Sequence, residues 1–306
     1  MSIYANTSTD NGKMAETSAQ TAAVPRTVQR WKRLTLASVG VCALAVLGTG
    51  VYWSLQPATF DVRAVALERV DGQESRLIAG AVAASTVSQV ARTLLEKPGG
   101  YLHNDVSIPG IYLDNMPSWE YGVLKEIRDS LRALRNDFSR SQTQSIENLD
   151  LRKADEFLNY DVESWILPST ESEFTDGIRA IDRYYDALIA GEGQSAGFFI
   201  RADNLAAYMA VVEKRLGSYA KRLSASVGDS ELTAALVTES QEPTPAGEVL
   251  SGPARTSWLE IDDIFYEARG YAWALLHMFK ALAIEFEPVL RDKNAEEEPC
   301  QTPLET

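Results

Sequence analysis

The sequence predicts an all-α protein, a single N-terminal transmembrane helix followed by an antiparallel bundle of long helices. Residues 34–55 carry no charge. From residue 83 onward, apolar side chains recur at the three- and four-residue steps of a helix face. Capping residues, glycines and prolines divide that pattern into segments, and no segment shows the strict alternation of a half-buried strand.

The first element reads LTLASVGVCALAVLGTGVYWSL. Roughly 20 apolar residues at a rise of 1.5 Å each cross a bilayer core. Trp31 stands at one end and Tyr52 and Trp53 at the other, where amphipathic rings suit the interface. Arg26, Arg30, Lys32 and Arg33 precede the span, and only Arg63 and Arg69 follow closely. This asymmetry puts the N-terminus in the cytoplasm and residues 57–306 across the membrane, the topology of a single-pass bacterial inner-membrane protein with a periplasmic domain. A cleaved signal peptide would have an apolar region of about 7–15 residues and a small-x-small exit. Gly48-Thr49-Gly50 is a poor version of that exit, and the charged lead is long. Cys42 follows Val41 in mid-segment, so it does not read as a lipoprotein site.

The remaining elements follow in order. Residues 1–33 are Ser/Thr/Ala-rich and read as a disordered cytoplasmic segment. Residues 56–82 form a juxtamembrane connector, in which 59–80 fit a hairpin turning at Asp71-Gly72 or a short helix. A helix over 83–96 stops at Lys97-Pro98-Gly99-Gly100. Residues 117–140 carry the clearest stripe, Leu124, Ile127, Leu131, Leu134 and Phe138, with Asn115 as a cap. Residues 170–190 repeat it, with Thr170 and Glu173 at capping-box spacing and Gly191 as the stop. Residues 203–226 make the next helix, and 228–256, with Pro243, Pro245 and Pro253, a linker. A last helix runs from Ser257, paired with Glu260 at capping-box spacing, to Pro288. The helical domain is thus expected over 83–290, with an acidic tail at 291–306.

Several strings resemble the bacterial family called Domain of Unknown Function 2333. They include KPGGYLHND (97–105), LDNMPSWEYGVL (113–124), ALRNDFSRSQTQS (133–145), SWILPSTESEF (164–174), RADNL (201–205), VEKRLGSYAKRLSAS (212–226) and FYEARGYAWALLH (265–277). They cover most of 95–290 and leave out 56–82, the 228–256 linker and the tail. The resemblance implies a proteobacterial inner-membrane protein. It implies no activity and transfers no catalytic residue.

Composition narrows the function. The net charge is −14. Residues 1–33 are net basic, so the domain is more acidic than the whole, a poor match for nucleic-acid phosphates. Cys42 and Cys300 are too separated in context to form a disulfide, and neither has a ligand cluster for zinc. No metal or cofactor is expected. There is no nucleophile elbow, phosphate loop or zinc signature. The carboxylates are numerous enough that a pair suited to glycoside hydrolysis stays open.

Two clusters remain as candidate sites. Lys125, Arg128, Arg132 and Arg135 form a basic stripe beside the apolar one, which suits either an anion or internal pairing with acids of neighbouring helices. On the last helix, a core seam of Ile261, Ala268, Leu275, Leu282 and Val289, flanked by Phe265, Phe279 and Phe286, is expected. Asp262, Tyr266, Arg269, Trp273, His277 and Lys280 then lie on another side, with Tyr266, Arg269, Trp273 and His277 as a partner-binding face or as the polar side of a central helix whose polar groups are internally paired. The expected function is a membrane-tethered, non-enzymatic envelope interaction or scaffold domain, with the lipid bilayer and an envelope protein as partners and no nucleic acid. A cell-envelope glycan hydrolase using Glu/Asp acid catalysis, or an anion- or lipid-binding module, stands beside it.

Overall fold

The computed structural model describes residues 26–141, 147–191, 196–227 and 260–292. The chain divides into two compact units, Met1–Ala45 and Val46–Thr306. It is all-α, with no strand among the described residues. The expected linker at 228–256, Ser257, residues 1–25 and nearly all of the acidic tail lie outside the described residues.

Helix α1 spans Arg26–Trp53. Its stretch Leu34–Trp53 is 20 residues long with a mean hydropathy of 2.0, long and apolar enough to cross a membrane, and only 6% of it is buried. Leu36, Val39, Leu44 and Leu47 all stand out from the protein. A helix that is apolar all round normally finds either a protein interior or lipid. Its final turns belong to the larger unit, where Trp53 lies against Gly99 and Gly50 against Pro109.

The segment left open between hairpin and helix is helical. α2 covers Val62–Glu68, and the Asp61 carboxylate caps it by accepting from the Arg63 and Ala64 amides. Val62 and Ala66 pack on Val82 and Ala281. Asp71 and Gly72 do turn the chain, with φ of 56° and 75°.

Helix α3 (Ala81–Glu96) is the central rod, touching α2 and three later helices: α4 (Asn115–Ala133), α6 (Thr170–Ile189) and α8 (Ile261–Glu285). It begins two residues before the expected start. Its sequence, AVAASTVSQVARTLLE, is rich in small residues because neighbours press on it from several sides. α4 is capped by Asp114 rather than Asn115 and passes at Leu134–Phe138 into a π-helical turn. α5 (Leu149–Leu158) was not anticipated; it buries Leu151, Ala154 and Leu158 and packs along α6. α6 is capped by Ser169, one residue before the expected pair. α7 covers Ala202–Val227. α8 starts at Ile261 and ends at Glu285, ahead of Pro288, and α9 (Glu287–Asp292) continues the chain.

The most extensive helix contact joins α4 and α8. A Cβ on Gly122 would lie 1.9 Å from the Glu267 carbonyl oxygen, and one on Gly270 would lie 2.0 Å from that of Trp119. The two helices therefore run antiparallel with their backbones nearly touching. Only glycine permits this approach, and it leaves neighbouring side chains little room for water.

Candidate functional site

The α4–α8 crossing gathers the chemistry of the domain. α4 contributes Glu120, Glu126, Asp129 and Ser130, all buried; α8 contributes Glu267, His277 and Glu285, buried too. Each carboxylate meets a different set of donors.

Glu120 is fully buried and pairs with the equally buried Lys97 ammonium at 2.5 Å. It also accepts from the Leu102 (2.9 Å) and His103 (2.9 Å) amides. Burial pushes its pKa up to about 7, against the pull of Lys97 and the two amides. This explains the Lys97-Pro98-Gly99-Gly100 stop in tertiary terms: Gly99 and Gly100 have φ of 88° and 71°, and Lys97 turns inward to Glu120 and the Gly100 carbonyl.

Among the described residues, Glu126 has no cation against it. Tyr208 donates to its Oε1 at 2.5 Å and Ser130 at 2.7 Å. Burial raises its pKa to about 7, with Tyr208, Ser130 and the neighbouring Tyr271 hydroxyl opposing. Its Oε2 and the Thr86 hydroxyl have no partner among the described residues. Both residues line a cavity of about 10 Å³, with Ser130, Ala274 and Met278. That volume admits about one water molecule.

Glu267 receives the Lys125 ammonium, both Arg222 terminal nitrogens (3.1 and 2.9 Å) and the Tyr219 hydroxyl (3.0 Å). Burial pushes its carboxyl up, but the Arg222 and Lys125 contacts outweigh it and hold the group below the usual range. Asp129 accepts a two-point fork from Arg215, both at 2.9 Å. Glu285 caps α3, accepting from the amides of Gly80 (2.8 Å), Val82 (2.8 Å) and Ala83 (3.2 Å), and burial raises its pKa against those bonds. It thus satisfies helix amides that Gly80 has no side chain to reach.

The basic stripe resolves into separate attachments. Lys125 serves Glu267 and lies over the Tyr121 ring. Arg128 donates to the carbonyls of Leu158 (2.8 Å) and Tyr160 (3.1 Å), and burial lowers its pKa. Arg135 bridges Glu147 and Asp155. Arg132 has just over half its side chain in water, with Asp129 at 3.9 Å. Three of the four are thus engaged internally, the alternative that the spacing left open beside an anion site, and Arg132 is the most open of them.

Of the two readings of the α8 face, Trp273 and His277 fit the polar side of a central helix. His277 is fully buried: its Nε2 accepts the Phe60 amide at 3.1 Å, its Nδ1 lies 2.7 Å from the Trp273 carbonyl, and it stacks on Phe60. These contacts select the neutral ring with the proton on Nδ1, and burial lowers its pKa. Trp273 is buried between Trp119 and Phe60. Tyr266 is half-buried, and Arg269 alone of the four is exposed. The outward stripe lies one residue over, at Phe265, Arg269, Ala272, Leu276, Lys280 and Ala283. Phe265, expected beside the core seam, is half exposed. The helix is turned this way because its small residues, Gly270, Ala274 and Ala281, must face its neighbours.

Sequence reasoning missed the interior carboxylates. Gly122 and Gly270 were the available signal, since a lone glycine inside a long helical pattern costs about 1 kcal/mol unless packing needs it.

Fold and interior together define an all-helical domain fastened by buried carboxylates and preceded by a helix long and apolar enough to cross a membrane. The chain belongs to the bacterial family described as "Uncharacterized protein conserved in bacteria (DUF2333)", which it matches over residues 26–301. The match takes in 56–82 and the 228–256 segment, which the resemblance had left out. No curated protein and no solved structure matches the chain.

Proposed function

We propose that the chain is a single-pass inner-membrane protein with a cytoplasmic N-terminus, whose helical domain works in the periplasm as a non-enzymatic interaction or scaffold module. The observation that carries this is α1, an apolar helix with exposed side chains and the denser basic flank on its N-terminal side. The interior supports the second half of the reading. Of the carboxylates with raised pKa, Glu120, Glu126 and Glu285 are buried among helices, and the space beside Glu126 holds about a water rather than a sugar ring. On this reading the buried charges fix helix positions, and Phe265, Arg269 and Leu276 on the outward stripe of α8 meet an envelope protein.

Reporter fusions at the C-terminus test the topology. A reporter active only in the periplasm should be active and one active only in the cytoplasm silent, and alkaline carbonate should leave the protein in the membrane. The reverse reporter pattern, or release by carbonate, sinks the proposal. In-cell cross-linking of the Phe265→Glu, Leu276→Glu variant should lose a cross-linked protein that the parent captures.

A further inference from the structure

Two loops of the domain expose large apolar side chains side by side. In the first, Val106, Ile108, Ile111 and Tyr112 are each more than half exposed. In the second, Trp165 and Ile166 are each 58% exposed and Leu167 is 92% exposed. The loops are joined: the Asn104 amide donates to the Ser164 carbonyl at 2.8 Å and to Glu171 at 3.1 Å. Both are held in shape by their own bonds. Ile111 donates to the Ser107 carbonyl, Asp105 accepts from Ser107, and Ser164 donates to the Pro168 carbonyl. A loop that orders itself around outward-pointing apolar residues is preorganised to bury them against something.

Position and chemistry say against what. Pro109, in the middle of the first loop, lies against Gly50 in the last turns of α1, 3.5 Å from where a Cβ would stand. Trp53, which ends that helix, packs on Gly99 just before the loop. If α1 crosses a bilayer, the surface it emerges from is within a few residues of Ile108 and Ile111. The loops also have the composition of an interfacial contact, with Tyr112 and Trp165 among aliphatic residues. No lysine or arginine occurs in residues 98–124 or 154–178, whereas Asp105, Asp114, Asp161 and Glu163 do. The contact is therefore apolar and aromatic, with no cation to hold an anionic headgroup.

We infer that loops 105–112 and 164–168 dip into the headgroup region of the membrane that α1 crosses, so that the domain lies on the bilayer at two further points. The inference rests on the membrane reading of α1. The occupant is a lipid surface, and an uncharged or zwitterionic one suits the acidic flanks better than an anionic one.

The test uses the full chain in phosphatidylcholine nanodiscs, with Cys42→Ser and Cys300→Ser as background. Spin labels are placed singly by Leu44→Cys, Ile111→Cys, Leu167→Cys and Met209→Cys, and collisions with dissolved oxygen and with a water-soluble nickel chelate are compared. Labels at 111 and 167 should favour oxygen severalfold over the label at 209, and the label at 44 should favour it most. If 44 reports lipid while 111 and 167 report water, loop insertion is wrong and the anchor stands. If 44 also reports water, the anchor reading fails and the inference with it. Labels at 111 and 167 shielded from both colliders would mean that a protein surface covers the loops, and would overturn it as well.

Discussion

Glu126 and Glu267 sit on the two helices that meet at Gly122 and Gly270, and both are almost out of water, at 2% and 7% exposure. Burial raises both, yet the outcomes are opposite. Glu126 meets neutral hydroxyls from Tyr208 and Ser130 and ends at about 7. Glu267 meets Arg222 and Lys125 and ends below the usual carboxylate range. Hydroxyls do not replace the hydration Glu126 gives up, whereas a guanidinium and an ammonium together do so for Glu267; on the fully buried Glu120 a single ammonium and two amides do not, and its pKa also rises to about 7. Near pH 7 the first is partly protonated and the second ionised. Glu120 is the limiting case, a carboxylate and its cation both fully out of water.

That limiting case predicts the largest effect. Glu120→Ala strands the Lys97 ammonium in the interior and frees the Leu102 and His103 amides. Breaking a buried pair in this way costs about 3–5 kcal/mol. Thermal unfolding of the detergent-solubilised chain should show the midpoint falling sharply. Lys97→Met combined with Glu120→Gln should recover most of the loss, because it removes the charge on both sides and keeps an acceptor for an amide. A small loss in the single variant would mean that Lys97 escapes to water and the pair is not sealed.

Glu126 comes next, with the opposite sign. Its folded pKa lies above its value in the unfolded chain, so the folded state binds the extra proton. Stability contributed by that proton is present at acidic pH and is lost as pH rises from about 4.5 to about 7. The difference is worth about 3 kcal/mol at most. Glu126→Gln keeps an acceptor for Tyr208 and Ser130 and never ionises. At pH 8 it should unfold at higher temperature than the parent, and its stability should fall less between pH 5 and pH 7. Glu120 titrates in the same direction, so part of the slope remains. An unchanged slope would show that Glu126 is ionised throughout, with a counter-charge unseen among the described residues.

The same contrast shows what the sequence could disclose. Helices 117–140, 170–190 and 203–226 were legible because large apolar residues mark one face. α5 was not: half of LDLRKADEFL is charged, and three residues fasten it. α8 was found, and Leu275, Leu282 and Phe286 of its expected seam are buried, but its aromatics left two readings of the Trp273–His277 side open that only Gly270, Ala274 and Ala281, facing the neighbours, separate. The carboxylates were illegible for a plainer reason. Periodicity says which side of a helix is buried, but whether Glu126 or Glu267 finds a cation depends on α7, which is far away in sequence: Tyr208 reaches one and Arg222 the other. The basic stripe on α4 was correctly seen as a pattern, but only the packing shows that Lys125, Arg128 and Arg135 are engaged inside the domain.

Glu267→Gln should give the smallest shift of the three and the mirror image of Glu126→Gln. The folded pKa of Glu267 is depressed, so its contribution is present above the usual carboxylate range and disappears as pH falls through the folded value. Removing the charge leaves Lys125 and Arg222 unpaired, but their side chains are 22% and 39% exposed and can turn to water. The loss at pH 7 should therefore be about 1 kcal/mol, well short of the Glu120 case. Parent and variant should converge only once pH has fallen below the depressed folded value, where the carboxylate is protonated in both folded and unfolded chains. Added salt should narrow the gap at pH 7, because this pair reaches solvent, and should leave the sealed Lys97–Glu120 pair almost untouched. Equal salt sensitivity at the two sites would mean that water reaches both, and that exposure rather than the choice of donor sets the difference between the carboxylates.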